Sequence, residues 1–292
     1  MLKQKIKDTI VRFSDRNAPI AGAINKDGGI HKFSISDETI LNEIIDFREK
    51  LLANQKFINF VKAKPFGTAL DFADILQIFP AASRLLNEDL SKSIFDYLGP
   101  DVKVDSAHLS VINLSNSADS IKNPSGIMHH DSCGHRLKLF FPINEQGNKM
   151  YPTSYVERSH NIKWKTYLNE VLADDQRIPT EVLEKFPNIS DSEKIVTFGS
   201  GYIFDTNGIH SGCYHENEEP RMIIQFELSA NKKYVPGKVG PSIFYLSNKS
   251  CDHLKKLGLL DNTLVTLDPI NNCLKHGEKG HIDDLKLYDL IS

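Results

Sequence analysis

Cysteine is scarce in this chain of 292 residues, and its four copies, Cys133, Cys213, Cys251 and Cys273, lie far apart with no C-x-x-C pair. That scatter argues against a disulfide framework and a zinc knuckle, and the expectation is reduced thiols behaving as small buried hydrophobes. Positive charge is not in surplus either. With 35 Lys+Arg against 38 Asp+Glu the net charge is −3, and the isoelectric point lies near 6.4. This balance does not suit a phosphate backbone or an anionic leaflet, so neither nucleic acid nor a membrane is expected as a partner. Long hydrophobic runs are missing: no stretch approaches the roughly 18 apolar residues of a membrane span. Residues 1–7 mix lysines with apolar side chains where a secretory signal carries an apolar core, and the expectation is a cytoplasmic protein. Repeats and low-complexity tracts are absent as well. What remains is a chain 40% hydrophobic and 25% charged, which excludes disorder and gives enough length to bury a core without crosslinks.

Residues 1–100 read as mostly helical. After Ser36, Asp37 and Glu38, which suit a helix start, Ile40, Leu41, Ile44, Ile45, Leu51 and Leu52 recur at helical spacing and predict one buried face. A second helical region is expected over 70–98, interrupted by Pro80 and closed by Gly99-Pro100. Beyond it, short β-branched and aromatic segments run over 107–114, 136–143, 194–198, 201–204 and 221–228, separated by Gly, Asn, Pro and Ser clusters. Many short strands joined by turns predict a sandwich or jelly roll, not alternating βαβ units. Residues 161–191 break the rhythm with charged, partly helical sequence and read as an insertion over one sheet. The expected organisation is one compact domain: a helical region 1–100 packed on a β core at 101–232, then an extension at 233–292 with a short helix at 252–257 and a polar tail.

The chemistry concentrates in Met128-His129-His130-Asp131-Ser132. Residues two apart on a strand share a face, so His129 and Asp131 converge while His130 points away. An imidazole and a carboxylate make two corners of a metal site, and iron(II) in a 2-His-1-carboxylate triad needs one more histidine. His210 is the best candidate: a turn at Gly199–Gly201 leads into an apolar strand, and His210 follows beside small residues that leave room for a ligand. Arg221 opens the next strand after the polar segment 216–220, and a hairpin there brings its guanidinium near His210, where it can grip a carboxylate bidentately.

His129-His130-Asp131, the serine-histidine element Tyr155-Val156-Glu157-Arg158-Ser159-His160, the Gly-rich approach to His210, and Arg221 occur in an order and spacing that resemble a known family. It is that of the iron(II) and 2-oxoglutarate-dependent dioxygenases, and within them the phytanoyl-CoA dioxygenase-like branch. The resemblance covers about residues 104–230. It implies a fold that is mainly β with flanking helices, around a double-stranded β-helix (jelly roll, cupin-like) core. It also implies Fe(II) held by His129, Asp131 and His210, 2-oxoglutarate as cosubstrate with its distal carboxylate on Arg221, and O2 as the second cosubstrate. Ser211 is a counterpart of the small hydroxylated residue that shares this carboxylate in many members. The implied reaction is hydroxylation of a C–H bond in a small organic substrate with release of succinate and CO2. Related halogenases have a small residue in place of the carboxylate ligand; Asp131 is present here. One departure is Glu157-Arg158, where relatives often carry Pro-Gly.

Two rival readings stand beside this one: a jelly-roll protein that binds a small molecule or sugar without chemistry, and a cupin-type enzyme that needs no 2-oxoglutarate. The intact triad with Arg221 speaks against the first, and the lack of an H-x-H pattern at 129–131 against the second. For His160 a supporting role, a substrate contact and a surface position all remain open. Arg136 and Lys138 read as a solvated strand face, with binding of an acidic group as the alternative. Cys133 and Cys213 read as neighbours of the ligands, and Trp164 and Tyr167 as pocket lining or packing of the insertion.

Overall fold

Asp37 starts the first long helix because its carboxylate accepts from the otherwise unpaired amides of Thr39 and Ile40 at 2.9 and 3.3 Å. The computed structural model describes residues 21–114, 126, 128–129, 131, 135–144, 153–161, 189–191, 199–212, 218–230, 242–269, 272–277 and 285–292. The expectations for 1–20, for a strand at 194–198 and for nearly all of the insertion at 161–191 lie outside them. So do His130, Cys133, Cys213, Trp164 and Tyr167.

Before residue 100 run α1 (Gly22–Lys26), β1 (Ile30–Ser34), α2 (Glu38–Ala53), α3 (Gln55–Lys62), β2 (Ala69–Phe72), α4 (Ile75–Ile78) and α5 (Glu88–Leu98). Helix α2 buries Ile40, Ile44, Phe47 and Leu51, as its spacing predicts. Helix α5 stops at Gly99, whose φ of 90° lies in the region that glycine adopts without strain. The reading of this region as helical fails at two places. Residues 30–34 and 69–72 are strands, and the second alternates exposed Ala69 and Asp71 with buried Leu70 and Phe72.

The later elements are β3 (Val102–Ile112), β4 (Leu137–Pro142), β5 (Thr153–Val156), β6 (Ile189–Asp191), β7 (Ser200–Asp205), β8 (His210–Gly212) and β9 (Arg221–Ala230). After them come β10 (Phe244–Leu246), α6 (Asn248–Lys256), β11 (Val265–Asp268), β12 (Cys273–His276) and α7 (Tyr288–Ile291). Strands β10, β11 and β12 form a small sheet of their own, so the expected polar tail is in part structured. No helix among the described residues is long and apolar enough to cross a membrane.

Strand pairing defines the architecture. Among the described residues one sheet has the order β1-β7-β4-β9-β3-β2 and another the order β6-β5-β8. The antiparallel pairs are nested: β3 with β9, His129 with His210 of β8, β4 with β7, and β5 with β6. A long hairpin rolled up on itself gives this pattern, and the fold is a jelly roll, mainly antiparallel sheet with flanking helices.

The six-stranded sheet has two unlike faces. Leu109, Leu139, Ile203, Ile224 and Phe226 point outward into one core shared with Ile44, Leu51 and Phe57 of the helices. Alternation turns His108, Lys138, Phe140, Phe204, Gln225 and Glu227 to the other side, where they line a cavity together with His210 and Thr153 of the smaller sheet. A wall that a sandwich normally fills with apolar side chains is here largely polar.

Candidate metal centre

His129 and His210 face each other across an antiparallel bridge in which each amide donates to the other's carbonyl at 2.9 Å. Directly opposed residues project to one face of a sheet, and the ring centroids lie 4.4 Å apart. Asp131, two residues on, returns to the same face. Its Oδ1 lies 3.9 Å from His129 Nε2 and 4.0 Å from His210 Nε2, and one ligand atom of each residue falls within 4.8 Å of the other two. The three residues read from the sequence as a triad therefore meet around one point.

Two of them hang on one turn. Thr206 O accepts from the Asp131 amide at 3.0 Å, and Gly208 O from His210 Nδ1 at 2.9 Å. A carbonyl only accepts, so Nδ1 carries the proton and Nε2 offers its lone pair to the centre. Burial pushes the His210 pKa down to about 4 against the attraction of Asp131, so the ring is neutral at pH 7. Burial alone would raise the Asp131 carboxyl, but the Lys138 ammonium beside it leads the effects that outweigh burial and hold the group well below the usual carboxylate range. A neutral imidazole and an ionised carboxylate are the states that take up a divalent cation without displacing a proton. Two imidazoles and one carboxylate fit iron(II) and leave coordination positions for other ligands.

The turn is itself anchored by a fully buried Asp205. Its Oδ1 accepts from the Asn207 amide at 2.8 Å, an Asx turn, and its Oδ2 takes both Tyr97 OH and His135 Nδ1 at 2.6 Å. Burial raises the Asp205 carboxyl, and its neighbours, His135 foremost, together more than reverse this. Burial and the Asp205 charge lift the Tyr97 phenol well above its ordinary range, so it stays a donor and ties α5 to the turn. Sequence reading missed this arrangement, although Asp205-Thr206-Asn207-Gly208 carries the composition of a tight turn. A Cβ at Gly208 would run into the fully buried Tyr155 ring, whose hydroxyl donates to Asp205 O at 3.0 Å. Gly208→Ala is expected to destabilise the fold by about 1–3 kcal/mol through overpacking. An unchanged urea midpoint would contradict this.

The serine-histidine element braces the same region from outside the cavity. Ser159 Oγ donates to Val156 O at 2.5 Å and accepts from the Ile209 amide at 2.7 Å. His160 is buried: its Nε2 meets Asn25 Oδ1 at 3.0 Å, and its carbonyl accepts from Asn207 at 3.1 Å. It does not line the cavity, so of the three roles left open the supporting one matches its position. Arg158 adopts φ 64°. Arg158→Gly is therefore expected to stabilise the chain by up to about 1 kcal/mol. A melting temperature that falls would refute the strain.

The cavity beside the triad measures about 770 Å³. Arg221 lines it, is 4% exposed, and its guanidinium has no hydrogen bond or ion pair among the described residues. The expected hairpin does not form: β8 belongs to the three-stranded sheet and β9 to the six-stranded one, so the chain crosses between sheets. Arg221 and His210 reach the same cavity from opposite walls. Ser211 lies between the cavity-lining His210 and Gly212 and is not part of the lining. Thr153, in a strand that sequence reading did not recognise, supplies a hydroxyl 2.7 Å from Tyr202 OH. Arg136 and Lys138 are not a solvated strand face. Both are about one-fifth exposed; Arg136 pairs with Glu227, and Lys138 Nζ lies 2.9 Å from Asp131 Oδ2.

No family model matches the sequence, and no curated protein matches it either. Solved structures resemble it in part. The non-heme alpha ketoglutarate-dependent epimerase SnoN from nogalamycin biosynthesis is similar at 13% identity and a TM-score of 0.48, over 70% of this chain and 80% of SnoN. HygX from Streptomyces hygroscopicus, with nickel and 2-oxoglutarate bound, is similar at 16% identity and a TM-score of 0.46, over 71% of this chain and 85% of HygX. EctD from S. alaskensis with bound Fe gives 13% identity and a TM-score of 0.46, over 75% and 80%. These are distant likenesses, and the chemistry of this chain is read from its own residues.

Proposed function

We propose that the chain is a non-haem iron(II) and 2-oxoglutarate-dependent oxygenase of the phytanoyl-CoA dioxygenase-like branch. In this reading it hydroxylates a C–H bond of a small organic substrate and releases succinate and CO2. One observation carries the reading: His129, Asp131 and His210 converge beside a cavity whose wall also holds a buried guanidinium without a hydrogen bond or ion pair among the described residues. His129 Nε2, Asp131 Oδ1 and His210 Nε2 would hold the iron, and Arg221 would take the distal carboxylate of 2-oxoglutarate in a two-pronged pair. Iron supplies the activation of oxygen that no side chain provides. The chain's own residues orient the reactants. His210 keeps its Nε2 free because Gly208 O fixes the proton on Nδ1, and Phe140 and Phe204 place aromatic surface where water would otherwise stand.

The cavity volume suits a small molecule. No acyl-CoA carrier is inferred from the branch name. The test is succinate formation and oxygen uptake by purified protein with iron(II), ascorbate and 2-oxoglutarate, alone and with a metabolite pool whose products are followed by mass. Succinate that requires both iron and 2-oxoglutarate, and rises with the pool, is the expected result. A protein that binds members of the pool but forms no succinate would be the non-catalytic jelly roll instead.

A further inference from the structure

We infer that Lys138 is a positioning residue of the metal centre: its ammonium holds Asp131 as a one-oxygen donor and biases the cavity toward an anionic cosubstrate at the expense of cation affinity. The inference rests on the proposed metal reading. Lys138 stands on the cavity face of β4, with Phe204 of β7 and Glu227 of β9 as its register neighbours. Its Nζ lies 2.9 Å from Asp131 Oδ2 and 3.7 Å from Glu227 Oε1. Glu227 also takes Arg136, and Gln225 Nε2 at 3.1 Å, while Arg136 Nε lies 3.9 Å from Asp105. Charges thus alternate along Asp131, Lys138, Glu227, Arg136 and Asp105.

The two oxygens of Asp131 are divided between different tasks. Oδ1 faces the imidazoles, and Oδ2 faces the ammonium. A carboxylate divided in this way meets a metal through one oxygen, which keeps coordination positions open for other ligands. A lysine in this setting needs a counter-charge to stay ionised. Asp131 and Glu227, 2.9 and 3.7 Å from its Nζ, supply it. A fixed cation next to the centre repels a second cation and attracts a dianion. Arg221 supplies charge for the distal carboxylate; Lys138 supplies it on the side where the metal is held.

Opposite changes in two affinities distinguish this role from structural support, since damage to the fold weakens both. Cobalt(II) is titrated calorimetrically without cosubstrate, and 2-oxoglutarate is then titrated into the cobalt-loaded protein. Lys138→Met is expected to bind cobalt(II) about 10-fold more tightly and 2-oxoglutarate about 10-fold more weakly, and Lys138→Arg to restore both toward wild type. The visible cobalt bands should move in the methionine variant, as the ammonium beside the donor carboxylate is lost, and stay in place in the arginine variant. Should Lys138→Met not fold, Lys138→Gln carries the same expectations. Affinities that both fall, or that do not move, overturn the role of Lys138. Wild-type protein that takes up no cobalt, or Asp131→Asn with undiminished uptake, overturns the metal centre itself.

Discussion

His210→Ala is expected to weaken divalent metal binding by more than about 100-fold, beyond the loss seen when only a supporting partner of a ligand is removed. His210 is held by backbone bonds to His129 in both directions, so truncating the ring leaves the bridge in place and removes one donor from three. Asp131→Ala should do the same, and it should also leave Lys138 facing a vacated donor position beside Glu227. Ser211→Ala, one residue along the same strand but outside the cavity lining, should keep metal affinity at the wild-type value. Calorimetry with nickel(II) or cobalt(II) measures all three. Equal affinity in His210→Ala and wild type would remove His210 from the centre.

Arg221→Ala is expected to raise the dissociation constant for 2-oxoglutarate by roughly 100-fold while metal affinity stays unchanged, because truncating one member of a buried charge pair leaves the other unpaired. The separation of the two effects matters. Arg221 enters the cavity from the six-stranded sheet and His210 from the three-stranded one, so the guanidinium does not support the histidine bridge. Arg221→Lys should recover only part of the affinity, since an ammonium cannot reproduce a planar two-pronged contact. A variant that binds 2-oxoglutarate as wild type does would assign the carboxylate to another group.

The convergence of His129 and Asp131 on one face was legible because a strand's two-residue period is a local rule that both residues obey. His210 needed only an apolar strand ending beside small residues. The jelly roll was legible as short strands at 107–114, 136–143, 201–204 and 221–228, each of which contributes to the six-stranded sheet. Long-range pairing was not. Nothing local in Ala69–Phe72 announces that it pairs with β3, and its apolar setting reads equally well as helix. The same blindness produced the expected hairpin, whereas β8 and β9 belong to different sheets. Lys138 and Arg136 were misjudged for a different reason: alternation says which residues share a face, but whether that face meets water or a cavity depends on what covers it. The anchoring of the turn by Tyr97, His135 and Asp205 joins residues from α5 to β7, a separation no motif spans.

The most direct test of the account is a crystal of the protein grown with cobalt(II) and 2-oxoglutarate, with anomalous scattering recorded above and below the cobalt edge. The account predicts one strong peak bonded to His129 Nε2, Asp131 Oδ1 and His210 Nε2, with 2-oxoglutarate beside it and its distal carboxylate on Arg221. A peak elsewhere, or none while the protein is saturated with cobalt in solution, would contradict it.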